Sequence, residues 1–166
     1  MKKIIESLNN DGVIRVYSIV LEVLRSRKII RTNNFVGEIG EYKAIEFYNE
    51  SPLLPNLKAV EVGTKCVDAI NDNNERYSIK TTTTKGTGVF NKLNDKGSDL
   101  PQQKLFEYVI IVTFNENISL EAIYELDWDT FLSLKKWNAS KRTWYLNITE
   151  KLKHRAKILY AIDKAV

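Results

Sequence analysis

The segment "FEYVIIVTF", residues 106–114, constrains the fold more than any other part of the chain, because Val109, Ile110, Ile111 and Val112 follow one another without a polar break. A strand with one wet face alternates apolar and polar residues; a run that does not alternate must be covered on both faces. The chain therefore has to supply a sheet with a layer above and a layer below. At 166 residues and 43% hydrophobic content it has the means to do so as one domain.

The other segments fit that demand. "VIRVYSIVLEVLRS", residues 13–26, spaces Val13, Val16, Tyr17, Val20, Leu21 and Leu24 as an amphipathic helix. "NNFVGEIGEYKAIEFYNE" predicts a second helix with Asn34 at its cap, ending before Pro52, and its Gly37 and Gly40 permit close backbone approach. A short strand is expected within 57–62. "KCVDAI" and "ERYSIKT" read as a hairpin around "NDNNE", whose Asn and Asp residues suit left-handed turn positions. "TKGTGVFNKLNDKGSDLPQQK" reads as a long polar loop of the functional or mobile kind. After the buried strand come a strand "LEAIYEL", a capped helix "DWDTFLSLKKW", a strand "RTWYLNI", and "TEKLKHRAKILYAI" as a terminal helix or irregular tail. The fold class expected is α/β (α+β), a mixed central sheet flanked by helices. Within the single domain 1–166, residues 1–32 form an N-terminal helical region, 33–114 a core, and 115–166 C-terminal strands and helices.

The lone cysteine, Cys66, has no internal partner, and with one histidine, His154, a four-ligand Cys/His zinc site is excluded. That points to a reducing, cytoplasmic setting. "MKKIIESLNNDG" has a two-residue apolar run before Glu6, so neither a signal peptide nor a membrane span is expected. The net charge of +4 permits a polyanion partner without requiring one, and its distribution is segregated. Arg25, Arg27, Lys28 and Arg31 cluster, a second basic group runs from Lys135 to Lys157, and acids gather from Glu116 to Asp129. Such runs are as often plain solvated faces.

The chemistry-bearing residues lie in the hairpin. Its first strand ends on Asp68 and its second on Lys80, and alternation places Ser78 and Lys80 on the face opposite Ile79. From the hairpin alone this is a cross-strand ion pair worth less than ~1 kcal/mol. The pattern of Asp, then an acid, any residue and Lys is that of the PD-(D/E)XK nucleases, and "VDAINDNNERYSIKT" resembles it with Ser78 in place of the second acid. The preceding "VGEIGEYKAIEFY" is similar to the Gly-Glu helix found in several members of that superfamily. With "EYVIIVTF" behind them, residues 33–114 resemble a small restriction-endonuclease-like family.

The resemblance implies a Mg²⁺-dependent DNA endonuclease, with Mn²⁺ able to substitute, working as a homodimer if both strands are cut. It implies Asp68 as central metal ligand, Glu41 as second carboxylate with Glu38 behind it, the Ile79 carbonyl as a further metal contact, and Lys80 as the residue that orients the attacking water. Ser78 departs from the pattern. Thr82, Thr84, Lys85, Lys92 and Lys96, directly after the hairpin, are placed to touch a DNA backbone. Two other readings stay open: a nucleic-acid-binding module of the same fold without catalysis, and a partner-binding domain whose basic clusters fold onto the acidic 116–129 segment.

Overall fold

Val109, Ile110, Ile111 and Val112 have no solvent exposure, as their lack of alternation demands. They lie in the middle of a mixed sheet, seen in a computed structural model that describes residues 1–31 and 34–162. The expected boundary between residues 32 and 33 and the last four residues lie outside the described residues. Val109 and Ile111 point into one apolar cluster with Phe90, Phe106, Trp128 and Phe131. Ile110 and Val112 point into the other, with Ala44, Tyr48, Tyr77 and Ile79. Each such side chain contributes about 1.5–3 kcal/mol by leaving water, so this strand is the axis of the molecule.

The elements in chain order are α1 (Lys2–Glu6), α2 (Asn10–Ser26), α3 (Phe35–Glu50), β1 (Leu57–Ala59), β2 (Ala69–Asn71), β3 (Arg76–Thr82), β4 (Tyr108–Phe114), β5 (Leu120–Asp127), α4 (Trp128–Leu134), β6 (Lys136–Asn138), β7 (Thr143–Tyr145), α5 (Glu150–Arg155) and β8 (Lys157–Ala161). Among the described residues the main sheet has the order β1-β2-β3-β4-β5-β8. All neighbours in it are antiparallel except β3 and β4, which run parallel with Ile79 opposite Ile110. The chain is a single mixed α+β domain, as its sequence pattern demands. Among the described residues no helix is long and apolar enough to cross a membrane.

The hairpin turn forms for the reason its composition gives. Asn71 Oδ1 accepts from the backbone N–H groups of Asn73 and Glu75, both at 3.0 Å, and Asn74 takes a left-handed φ of 60°. Helix α3 starts at Asn34, although no side-chain capping bond is made there, and stops before Pro52. Helix α4 is capped by Asp127, which accepts from Thr130 N–H at 2.7 Å.

Three expectations need correction. Asp68 precedes β2 and Lys80 is interior to β3, so neither ends its strand, and α4 ends at Leu134, so Lys136 and Trp137 belong to a small hairpin with β7. The tail is neither one helix nor irregular: α5 ends at Arg155, Ala156 turns extended (φ −82°, ψ 150°), and β8 pairs with β5. In β8, Ile158 and Tyr160 are residues that favour strands. The long segment 83–107 contains no helix although it connects two parallel strands, a job usually given to one. It is instead pinned: Phe90 N–H donates to the Trp144 carbonyl at 2.8 Å and Thr87 N–H to the Leu146 carbonyl at 2.9 Å, while Phe90 and Leu93 are buried.

Candidate active site

Where β2 and β3 part company, a carboxylate takes over the pairing. The ladder runs to Ala69 opposite Tyr77, and the next residue, Asp68, donates its N–H to the Tyr77 carbonyl at 2.8 Å. Its side chain then turns to β3, and Oδ2 accepts from the Ile79 N–H at 2.6 Å, from Ser78 Oγ at 3.3 Å and from Lys80 Nζ at 3.4 Å. All three contacts fall on one oxygen. The other, Oδ1, takes none of them.

Alternation along β3 sets the rest. Tyr77 and Ile79 enter the cluster beneath α3, and Ser78 and Lys80 take the opposite face. Ser78 is 1% exposed. Lys80 Nζ also donates to the Ile79 carbonyl at 3.1 Å and lies 5.6 Å from the centre of the Phe90 ring. An ammonium held by a carboxylate, a carbonyl and a ring face has a fixed position, which an exposed lysine lacks.

Helix α3 brings the second carboxylate. It packs on β3 because Gly40 has no side chain: a Cβ there would lie 1.8 Å from Thr81 Oγ1, and Thr81 Oγ1 itself donates to the Gly37 carbonyl at 3.3 Å. The close approach expected of these glycines is thus used. Glu41 follows Gly40 and reaches the edge of the hairpin. Burial, then the nearby Asp68 charge, push its carboxyl up to about 7 from 4.5, against the opposing pull of Arg31 and Lys80. Glu41 and Asp68 line one cleft of about 200 Å³, and Glu41, Ile79 and Lys80 line a second of about 280 Å³. A third, also about 280 Å³, is lined by Asp68, Ser78, Lys80, Phe90 and Lys92.

Glu41, Asp68, Ser78, Ile79 and Lys80 are therefore neighbours. Glu38 lines the cleft shared by Glu41 and Asp68 but is 7% exposed and accepts the Arg31 backbone N–H. The residues expected to touch nucleic acid divide. Lys92 lines the Asp68–Lys80 cleft, whereas Thr84 and Lys85 line a separate one with Lys153 and Ile162. Lys96 is exposed in the pinned segment. The expectation for Thr82 is corrected: it is buried, and its hydroxyl donates to the Gly86 carbonyl at 2.6 Å, so it shapes the turn after β3.

Two residues at the site went unread in the sequence. Phe90 gave only an apolar letter inside a polar stretch, which was itself a signal of anchoring. Arg31 was counted with a basic cluster, yet its Nη2 reaches Glu41 Oε2 at 3.3 Å. Elsewhere the second basic group is partly neutralised within the fold, with Lys157 3.5 Å from Glu125 and Arg142 paired with Asp95. No protein-family model and no curated protein matches the chain.

Proposed function

We propose that this protein is a metal-dependent endonuclease that hydrolyses phosphodiester bonds in DNA. The observation that carries the reading is the held pair of Asp68 and Lys80 at 3.4 Å, with Glu41 lining the clefts beside it in spite of the burial and repulsion that raise its carboxyl to about 7. A carboxylate raised by burial and a like charge, and lining a cleft, supports a functional reading. It is supported by the sequence resemblance to PD-(D/E)XK nucleases.

The donors suit a hard cation. Among the described residues no three His, Cys, Asp or Glu side chains gather to hold a metal ion. Two carboxylates and one carbonyl are nevertheless enough for Mg²⁺, which keeps several of its waters when it binds a protein. Asp68 and Glu41 would hold Mg²⁺, or Mn²⁺, and the Ile79 carbonyl would complete the protein's share. When bound, the cation supplies Lewis acidity toward the phosphate oxygen and favours ionised water. The chain's own part is positional. Lys80 presents a proton donor beside the attacking water and offsets charge that develops on the phosphate, while Ser78 fixes the orientation of Asp68. One such site cuts one strand, so the reading includes a homodimer, and a cytoplasmic setting is part of the same proposal.

The test is cleavage of supercoiled plasmid by purified protein in Mg²⁺ or Mn²⁺. Asp68→Asn and Lys80→Ala are each expected to lower the rate by about 10²–10³ while the fold is kept. Intact plasmid with both metals, or cleavage unchanged by Lys80→Ala, refutes the proposal. A second reading, a DNA-binding module without catalysis, is favoured by one observation: buried Ser78 occupies the place of an acid. Salt-sensitive DNA binding with no cleavage in either metal would select it.

A further inference from the structure

Arg31 touches the site in a way that no role above uses. Its main chain is fixed, since its N–H donates to the buried Glu38 on α3. Its guanidinium spans two elements: Nη1 donates to the Val60 carbonyl at 3.1 Å and Nη2 to Glu41 Oε2 at 3.3 Å. Strong arginine–carboxylate pairs are bidentate and short, about 2.7–2.9 Å. This one is a single long contact between side chains 37% and 24% exposed.

The two carboxylates of the site thus have one cation each, held very differently. Lys80 serves Asp68 and is fixed by the Ile79 carbonyl and the Phe90 ring. Arg31 serves Glu41 through one contact, from the rim of the cleft that Glu41 and Asp68 share. Its side chain can swing away while the Arg31 main chain stays bonded to Glu38. We propose that the Arg31 guanidinium is a resident counter-ion of Glu41, displaced when a divalent cation enters between Glu41 and Asp68, so that Arg31 sets the metal concentration at which the site fills. The inference rests on the metal-site reading of Glu41 and Asp68.

Binding decides the matter without any assay of cleavage. Mn²⁺ is titrated into the full chain at pH 8.5 and followed by calorimetry and by the rise in melting temperature, for wild type, Arg31→Met, Arg31→Lys and Glu41→Gln. Removing a competing half-exposed ion pair should tighten Mn²⁺ binding roughly threefold to fivefold in Arg31→Met. Arg31→Lys, which cannot hold Val60 and Glu41 together, should lie between it and wild type, and serves alone if Arg31→Met does not fold. Glu41→Gln should weaken binding. If both arginine variants bind Mn²⁺ no tighter than wild type while Glu41→Gln still weakens it, the counter-ion role is overturned and the site reading stands. If Mn²⁺ binding is absent or indifferent to Glu41→Gln, the site reading fails and this inference fails with it.

Discussion

The two ends of β3 each carry an acid–base cluster, and the two are built on opposite principles. At the start of the strand, Glu107 accepts from Arg76 at three points: backbone N–H at 2.7 Å, Nε at 3.1 Å and Nη2 at 2.9 Å. Those hydrogen bonds hold the Glu107 carboxyl down at about 2. At the other end, Glu41 has one long contact to a cation, is partly buried beside a second carboxylate, and is pushed up to about 7. The first cluster has its charges matched and stabilises the fold. The second leaves Glu41 with a single long contact to its cation. Ion pairs alone do not indicate function; the incompletely satisfied carboxylate in a cleft is what motivates the proposal made above.

The contrast can be broken first at Glu41. A carboxyl raised in the folded state favours the protonated form there, so its contribution to stability is fully present below about pH 4.5 and is lost as pH rises through about 7. Glu41→Gln is neutral throughout and escapes that loss. Denaturant unfolding should find it more stable than wild type at pH 8, by about 3 kcal/mol at most, with the gap closing toward pH 4.5.

Gly40 tests the geometry that buries Glu41 near Asp68. A Cβ 1.8 Å from Thr81 Oγ1 and 2.7 Å from its Cβ and Cγ2 forces α3 away from β3. Gly40→Ala should cost about 1–3 kcal/mol, as overpacking does, and reduce cleavage because Glu41 moves with the helix. Thr81→Ala removes two of the three crowding atoms and should recover part of both losses.

The satisfied end should show the smallest effect and the opposite pH sign. Glu107, lowered in the folded state, contributes stability that is present above about pH 4.5 and lost as pH falls through about 2. Arg76 is 38% exposed, so solvent screening limits Arg76→Met to about 1 kcal/mol at pH 7. Its cost should shrink toward pH 2, and plasmid cleavage should not change.

Much of this was legible in the sequence where a residue's neighbours along the chain decide its fate. The unbroken Val-Ile run declared a doubly covered strand, the Asn-rich turn declared the hairpin, and period-two alternation put Ser78 and Lys80 on one face. Partners distant in sequence were harder. Arg31 pairs with a residue ten positions on, and nothing in "RSRKIIR" separates it from its basic neighbours. The strand β8 was hidden because "KILYA" is short and its partner β5 lies more than thirty residues back. Thr82 looked like a surface hydroxyl because strand-end threonines usually are, but the pinned segment 83–107 covers it.

The parallel seam between β3 and β4 also divides the chain by the reach of its contacts. Residues 31–80 carry Arg31, Glu41, Asp68 and Lys80, with α3, β1, β2 and β3 joined by short connections, and β4 and β5 form an antiparallel pair of their own. Joining the halves requires closure of the segment 83–107, for which a chain of about 25 residues loses about 3 kcal/mol of entropy. The charged groups of the candidate site therefore all come from the first half, and the closing segment adds Phe90 and Lys92 to their cleft.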